Sequence, residues 1–222
     1  MNWNKYFALF FFSILFFAGC EKDKETSYSP LPPPVAKPKV TDYFPLTIGS
    51  YWVYEWHEID TNGTDKMIHI DSTIVTNDTT INQKKYAVKK NFIIENNLQQ
   101  TSIGFYRDSA DYIVDNYGKI WFSNTNFTDT LQVDSMYDNL ITIYYKMSHK
   151  DSLISISLGN YLCYDFEEIW KIKDPHCNQN KSEHHFYTKG IGQIKDVHFF
   201  MSDCNSPRYE HRLIRYKINK EK

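Results

Sequence analysis

The sequence is poor in the residue types that mark several special classes of protein. Its 222 residues include only 8 Gly, 8 Pro and 4 Cys, which excludes collagen-like, low-complexity and disulfide-dense chains. It has no isolated block of Lys and Arg, and its net charge is −2, so no nucleic-acid partner is expected. Ala and Leu, the strongest helix formers, are sparse, whereas Ile, Thr and Tyr are prominent. This composition favours an all-β protein.

The N-terminal segment has the form of a bacterial lipoprotein signal. A positive residue, Lys5, precedes an apolar run over residues 6–17, and Ala18-Gly19-Cys20 ends the run. The run is shorter than the ~20 residues that span a bilayer core, so we expect cleavage. Small residues directly before cysteine resemble the bacterial lipobox. The resemblance implies a signal peptide over residues 1–19 and lipidation of Cys20, with acyl chains such as palmitate added by the lipoprotein processing machinery.

This signal places the protein in the cell envelope, anchored in a membrane by Cys20. An ordinary secretory signal, or an uncleaved anchor with an incidental cysteine, is the alternative. The mixed charges of residues 21–25 resemble signals that send some lipoproteins to the outer face of the outer membrane. We therefore expect the outer membrane, with periplasmic or surface exposure left open.

A proline-rich tether is predicted over residues 20–42. Five of the eight prolines lie within residues 29–39, and such a segment favours extended polyproline II rather than a packed core. A spacer between membrane and domain is the simpler interpretation. A ligand for an aromatic groove of a partner protein is the alternative.

The remaining residues, 43–222, are predicted to form a single β-rich domain. Residues 51–59 alternate, with Trp52, Tyr54 and Trp56 on one face. Residues 161–173 alternate in the same way, which indicates one buried and one solvent-exposed face. About a dozen such runs, separated by turn residues, predict a strongly curved antiparallel sheet, either a half-barrel or a sandwich.

Two motifs resemble a group of uncharacterised secreted lipoproteins of Gram-negative bacteria. They are Tyr-Phe-Pro-Leu-x-x-Gly-x-x-Trp-x-Tyr at residues 43–54 and Gly-Ile-Gly-x-Ile-Lys at residues 190–195. The resemblance implies a β-rich envelope lipoprotein without known enzymatic activity. It assigns no functional residue.

The Gly190-Ile191-Gly192 segment is predicted to be a hairpin turn. Strands are expected on both sides, whereas a dinucleotide-binding loop is followed by a helix. A turn between Gly190 and Ile191 places Cys177 opposite Cys204, near disulfide distance, in an oxidising compartment. The register favours a Cys177–Cys204 disulfide. A Cys163–Cys177 bridge and free thiols are the alternatives.

The same register places a group of ionisable residues on one face of the hairpin. Asp196 lies opposite His185, and His198 lies opposite Glu183. Two imidazoles and two carboxylates are donors that could bind Zn²⁺. Ordinary cross-strand pairs on a solvent-exposed face explain them more simply, so the sequence predicts no metal and no cofactor. His211 adds no recognisable ligand spacing.

Catalytic motifs are not found, and no catalytic residue is assigned. Gly-x-Ser-x-Gly, His-Glu-x-x-His and a phosphate-binding loop are all missing from the sequence, so we expect a binding or structural protein rather than an enzyme. A carrier of an apolar ligand is the first expectation. A carbohydrate-binding surface lipoprotein that uses exposed aromatic residues is the alternative, and an enzyme without a recognisable motif or a scaffold role also stays open.

Six Asp-Ser/Thr dipeptides stand before apolar residues or Thr, as at Asp71-Ser72. This pattern resembles the acceptor of a general O-glycosylation system in one phylum of Gram-negative bacteria. Strand and turn formation explains the pattern equally well.

Overall fold

The computed structural model of the chain describes residues 37–95, 98–173, 180–199 and 207–220. The predicted signal peptide, Cys20, most of the tether, and both cysteines of the favoured disulfide, Cys177 and Cys204, lie outside these ranges. Within the ranges, no helix has the length and apolar character needed to cross a membrane.

The described chain consists almost entirely of antiparallel strands. The strands, in chain order, are β1 (Tyr51–Ile59), β2 (Asp65–Ile81), β3 (Lys84–Glu95), β4 (Leu98–Ser109), β5 (Tyr112–Asp115), β6 (Ile120–Ser123), β7 (Gln132–Met136), β8 (Ile141–Ile156), β9 (Gly159–Ile172), β10 (Asn180–Thr188), β11 (Gly192–Phe199) and β12 (Arg208–Lys217). A 3-10 helix at Val40–Asp42 precedes them. The all-β prediction is confirmed.

All twelve strands belong to one sheet, in the order β6-β5-β4-β3-β2-β1-β12-β11-β10-β9-β8-β7. Strands that follow each other in sequence pair, except β6 and β7, which are the two edges of the sheet. The first strand, β1, also pairs with the last, β12. The two edge strands approach each other, since the Ile120 amide donates to Oε1 of Gln132 at 3.2 Å. The sheet is therefore strongly curved and nearly closed, which selects the half-barrel over the sandwich.

The chain enters this sheet through a buried segment. Val40 of the 3-10 helix is 1% exposed, and Tyr43 and Phe44 are also buried. Tyr43 stacks on Tyr164, with ring centroids 4.3 Å apart. The packed part of the chain thus includes residues at the end of the segment that the sequence analysis assigned to the tether.

The two motifs that carry the family resemblance meet in the fold. The Gly190 amide donates to the Asp42 carbonyl at 2.7 Å, and Trp52 Nε1 donates to the Ile191 carbonyl at 2.7 Å. Gly190 has φ of 80°, a conformation that suits glycine in the predicted hairpin turn. These contacts join the segment that enters the sheet to the turn between β10 and β11.

Strand β9 departs from the simple two-face pattern expected for it. Leu162, expected on the buried face, is 59% exposed, whereas Cys163 and Asp165 of the opposite face are buried. The reason is the long β8–β9 hairpin, whose pairing shifts register twice between Met147 and Ser152. Ile154 and Ile156, near its tip, pack on the cluster that contains Cys163. The covered face at this end of β9 is therefore the one that carries Cys163, and the face that carries Leu162 is exposed.

Candidate functional site

A cavity of about 340 Å³ lies against the inner face of the curved sheet. Its size falls at the lower end of ordinary ligand pockets. Aromatic and ionisable side chains share its wall. The lining residues are Phe44, Tyr54, Trp56, Asp71, Thr73, Lys89, Asn91, Ile93, Gly104, Tyr106, Trp121, Phe166, His185, Tyr187, Gln193, Asp196, His198 and His211.

The predicted hairpin register holds at the ionisable residues. His185 and Asp196 are direct partners across β10 and β11, and His185 Nδ1 lies 3.2 Å from Asp196 Oδ1. His198 Nδ1 lies 3.0 Å from Oε2 of Glu183. The four residues singled out in the sequence are therefore brought together.

Their surroundings differ from the expectation. The face that carries them was predicted to be solvent-exposed, and this prediction is wrong, because Asp196 is only 5% exposed. The curvature of the sheet turns this face inward. Charged groups that would be weakly coupled in water thus interact in a medium of low dielectric constant.

Asp196 is the centre of a network of three histidines. Besides His185, it meets His211, whose Nδ1 lies 3.2 Å from Oδ2, and His198, whose Nε2 lies 3.8 Å from the same oxygen. The side-chain amide of Gln193, through Nε2, also donates a hydrogen bond to Asp196. A single buried carboxylate is thereby shared by several donors.

The network continues across β12 to β1 and β2. Nε2 of His211 lies 2.8 Å from Oδ1 of Asp71, and Trp56 Nε1 donates to the other oxygen of Asp71 at 2.8 Å. The Trp56 ring stacks against His211 and His198, with centroids 4.7 and 5.3 Å apart. One wall of the cavity is therefore an assembly of hydrogen-bonded and stacked side chains.

The carboxylates decide the charge state of the histidines. Burial by itself would lower the pKa of His185, but Asp196 and Glu168 raise it to about 10. Burial opposes protonation of His198 as well, yet Asp196 and Glu183 raise its pKa to about 9. Burial would raise the pKa of Asp196, but the three histidines hold it well below its usual range. Without a ligand, His185, His198 and Asp196 are therefore ionised at neutral pH.

Lys89 also lines this cavity. Its Nζ lies 4.4 Å from the centroid of the Phe44 ring, 5.0 Å from that of Trp52 and 5.7 Å from that of Tyr106. No carboxylate in the described ranges lies within 4 Å of it. Burial lowers the pKa of Lys89 to about 8, an effect that the charge of Asp196 partly offsets. Lys89 is thus a cation held by aromatic faces and without a direct counter-ion among these residues.

Gly104 makes room for one of these aromatic rings. Gly104 pairs with Lys89 across β3 and β4, and a Cβ atom at this position would lie only 2.5 Å from the Tyr106 ring. The missing side chain allows Tyr106 to fold back over the strand beside Lys89.

A second concavity, of about 860 Å³, lies along β2 and is lined by Met67, Ile68, Ile70, Ile74 and Phe92 among others. Met67, Ile68 and Ile70 are exposed. This groove is more apolar than the inner cavity and lacks a comparable cluster of histidines.

Cys163 is a free thiol in the described structure and is buried. Burial, followed by the charge of Asp165, raises its pKa to about 12. The thiol is therefore protonated and shielded, as expected of a cysteine that packs passively.

Several residues of the site were not singled out from the sequence. Asp71, Glu168, His211 and Lys89 all stand in runs that look like ordinary polar strand positions. The signal that could have found His211 and Asp71 is their alternation with the apolar residues of β12 and β2. Using that signal requires knowledge that β12 lies between β1 and β11.

Comparison with known proteins finds solved structures with a similar fold. No family model and no curated protein matches the chain. A crystal structure from Bacteroides fragilis, of an inferred exported protein with a fold called YmcC-like, aligns with a TM-score of 0.53 and 12% identity over 79% of this chain and 98% of that chain. An inferred lipoprotein from Parabacteroides distasonis aligns over the same shares, with a TM-score of 0.48 and 11% identity. The first likeness shows that this curved sheet occurs in another solved structure.

Proposed function

We propose that this chain is a lipid-anchored lipoprotein of the outer membrane whose inner cavity binds a small anion that contains a ring. The lipobox at Cys20 supports the anchor. The Bacteroides fragilis neighbour is described as an exported protein, which agrees with a location outside the cytoplasm. The role is binding, and no reaction is assigned to the cavity.

The observation that carries the proposal is Lys89. A partly buried ammonium without a direct counter-ion is costly, and its aromatic neighbours compensate only in part. A carboxylate on the ligand would supply the missing charge. The surrounding Phe44, Tyr106 and Trp121 offer faces for a sugar or aromatic ring.

The lining also decides against a long acyl chain in this cavity. Such a chain would enclose the Lys89 ammonium without offering it a hydrogen bond or a counter-charge, and an enclosed polar group without a partner is expensive. The expectation of an apolar ligand therefore does not suit the inner cavity. The carbohydrate alternative suits it better, provided that the sugar is acidic.

The test uses two matched pairs of probes and isothermal titration calorimetry on the detergent-solubilised protein. Glucuronate is compared with glucose, and 4-hydroxybenzoate with its neutral methyl ester. We expect at least one acid to bind and its neutral counterpart to bind at least tenfold more weakly. The two acids distinguish a sugar ring from an aromatic ring.

Lys89→Met is the matched variant, because it keeps the apolar stem and removes the charge. It should weaken binding of the acid about tenfold or more, since a hydrogen bond to a charged group contributes ~1.5–3 kcal/mol. Lys90→Met, one residue along β3, is the control. Equal binding of acids and neutral probes, or unchanged binding by Lys89→Met, contradicts the proposal.

A further inference from the structure

Two glutamates face each other on neighbouring strands beside the cavity. Glu168 of β9 and Glu183 of β10 are direct cross-strand partners, and their side chains are only 11% and 14% exposed. Like charges directly opposite each other destabilise a sheet, and burial increases the cost. The pair therefore requires positive charge close to both carboxylates.

Glu168 is the less satisfied of the two. Glu183 contacts His198 through Oε2 and the Phe199 amide through Oε1. Within the described ranges, the Glu168 carboxylate accepts no hydrogen bond. Its Oε1 lies 3.3 Å from His185 Nε2, and this contact lacks hydrogen-bond geometry. The oxygens of the buried Glu168 carboxylate are therefore free to coordinate a metal ion.

His185 presents the complementary feature. Its Nε2 is buried and has no hydrogen-bond partner in the part of the chain that the structure describes. Its other ring nitrogen, Nδ1, lies 3.2 Å from Asp196. A histidine that ligates a metal commonly uses one nitrogen for the ion while a carboxylate orients the ring through the other. His185 has this arrangement, with Nε2 left for the ion.

We propose that Glu168, Glu183 and His185 form a site for a divalent transition-metal ion, with Zn²⁺ as the best match. One ligand atom from each residue lies within 4.8 Å of the others. One imidazole and two carboxylates suit Zn²⁺, whereas Ca²⁺ and Mg²⁺ prefer all-oxygen sites. Three protein ligands leave a fourth position for water.

The surrounding residues fit this assignment. Asp196 holds His185 in orientation, and His198 holds Glu183 through Nδ1 at 3.0 Å. The ion would neutralise the facing glutamates, a role that protons on His185 and His198 fill in its absence. The metal ion and protons thus compete for the same group of side chains. The proposed metal site does not depend on which ligand the cavity binds.

The experiment is a metal titration of the full-length, detergent-solubilised protein after treatment with EDTA and removal of the chelator. We expect one equivalent of Zn²⁺ to bind in calorimetry, with Ca²⁺ and Mg²⁺ at least a hundredfold weaker. Co²⁺ should bind with a visible absorption spectrum typical of four or five ligands. Failure of the wild-type protein to bind a stoichiometric transition metal overturns the proposal, whatever the variants do.

Two neighbouring glutamates provide a matched pair of variants. Glu168→Gln removes a proposed ligand and should weaken Zn²⁺ binding at least tenfold. Glu167→Gln, on the opposite face of β9, should bind Zn²⁺ as the wild type does. A Glu168→Gln variant that retains wild-type affinity overturns the assignment, because the ion would then lie among His185, Asp196 and His198 instead.

Discussion

Asp196 and His211 are direct partners across β11 and β12, and their side chains also meet, with His211 Nδ1 3.2 Å from Asp196 Oδ2. The same carboxylate serves His185 and Gln193. The backbone pairing of β11 with β12 and the side-chain contact thus both hold Asp196 next to His211. Asp196 therefore links β10, β11 and β12 on the inner face of the sheet.

Asp196→Asn should therefore destabilise the metal-free protein strongly. The change leaves the protonated His185 and His198 without their shared counter-charge, and breaking a buried ion pair in this way costs about 3–5 kcal/mol. Urea unfolding at pH 7 measures the loss. Asp138→Asn, in the exposed turn before β8, is the control and should stay within about 0.5 kcal/mol of wild type. Similar losses in both variants would contradict the central role of Asp196.

The metal-free protein should lose stability as the pH rises above neutrality. The folded-state pKa values of His185 and His198 are about 10 and about 9, against ~6.5 in an unfolded chain. Because these values are raised, the stabilisation is complete below about pH 6.5 and is lost as the pH rises through 9 to 10.

Urea midpoints between pH 6 and pH 10, measured with EDTA present, test this dependence. His198→Gln should flatten the decline relative to wild type. His149→Gln provides the control, since the His149 side chain is 72% exposed. A decline of the same slope in wild type and His198→Gln would show that other groups cause it.

The thiols should react in a distinctive order. Native protein treated with iodoacetamide at pH 8 should remain unmodified at Cys163, because the thiol is buried and its pKa is raised to about 12. In urea without reductant, Cys163 should become the one modified cysteine if Cys177 and Cys204 are bridged. Peptide mapping identifies the modified residues. Modification of all three under these conditions would rule out the bridge.

Replacing the lipidation residue should release the protein from membranes. Cys20→Ser removes the thiol that receives the lipid, so the variant should incorporate no radioactive palmitate and should leave the membrane fraction. Wild type labelled in parallel is the reference, and Cys163→Ser controls for the loss of a thiol elsewhere. Equal labelling of Cys20→Ser and wild type would exclude lipidation at this position.

The sequence predicted the parts of the fold that local pattern controls. Strand β1 has the predicted bounds, Tyr51–Ile59, and the hairpin after Thr188 has the register that pairs His185 with Asp196. Alternation is enough to mark the strand. The hairpin pairing needs more than the glycine turn, because Tyr187 pairs with Gln193 beside the turn and a register shift between Phe186 and Tyr187 restores the predicted pairing of His185 with Asp196.

The rest of the site depends on information that local patterns do not carry. Alternation shows that His185 and Glu183 share a face, but not whether the sheet curves over that face. No turn connects β12 to β1, so nothing in the sequence brings His211 to Asp71. Lys89 stands next to Lys90 in a polar run, and the sequence does not show which of the two faces the cavity. In the fold it is Lys89.

The pairing of β1 with β12 gives the protein an assembly order. The first strand of the sheet gains its second neighbour only when the last strand has been made and exported. Contacts this distant in sequence form slowly, because the chain must close a large loop before the contacts stabilise it. The contact between Asp71 and His211 also cannot form until the C-terminal strand β12 has been made. A chain cut short before β12 would expose one edge each of β1 and β11, and would carry neither a closed sheet nor a complete histidine cluster.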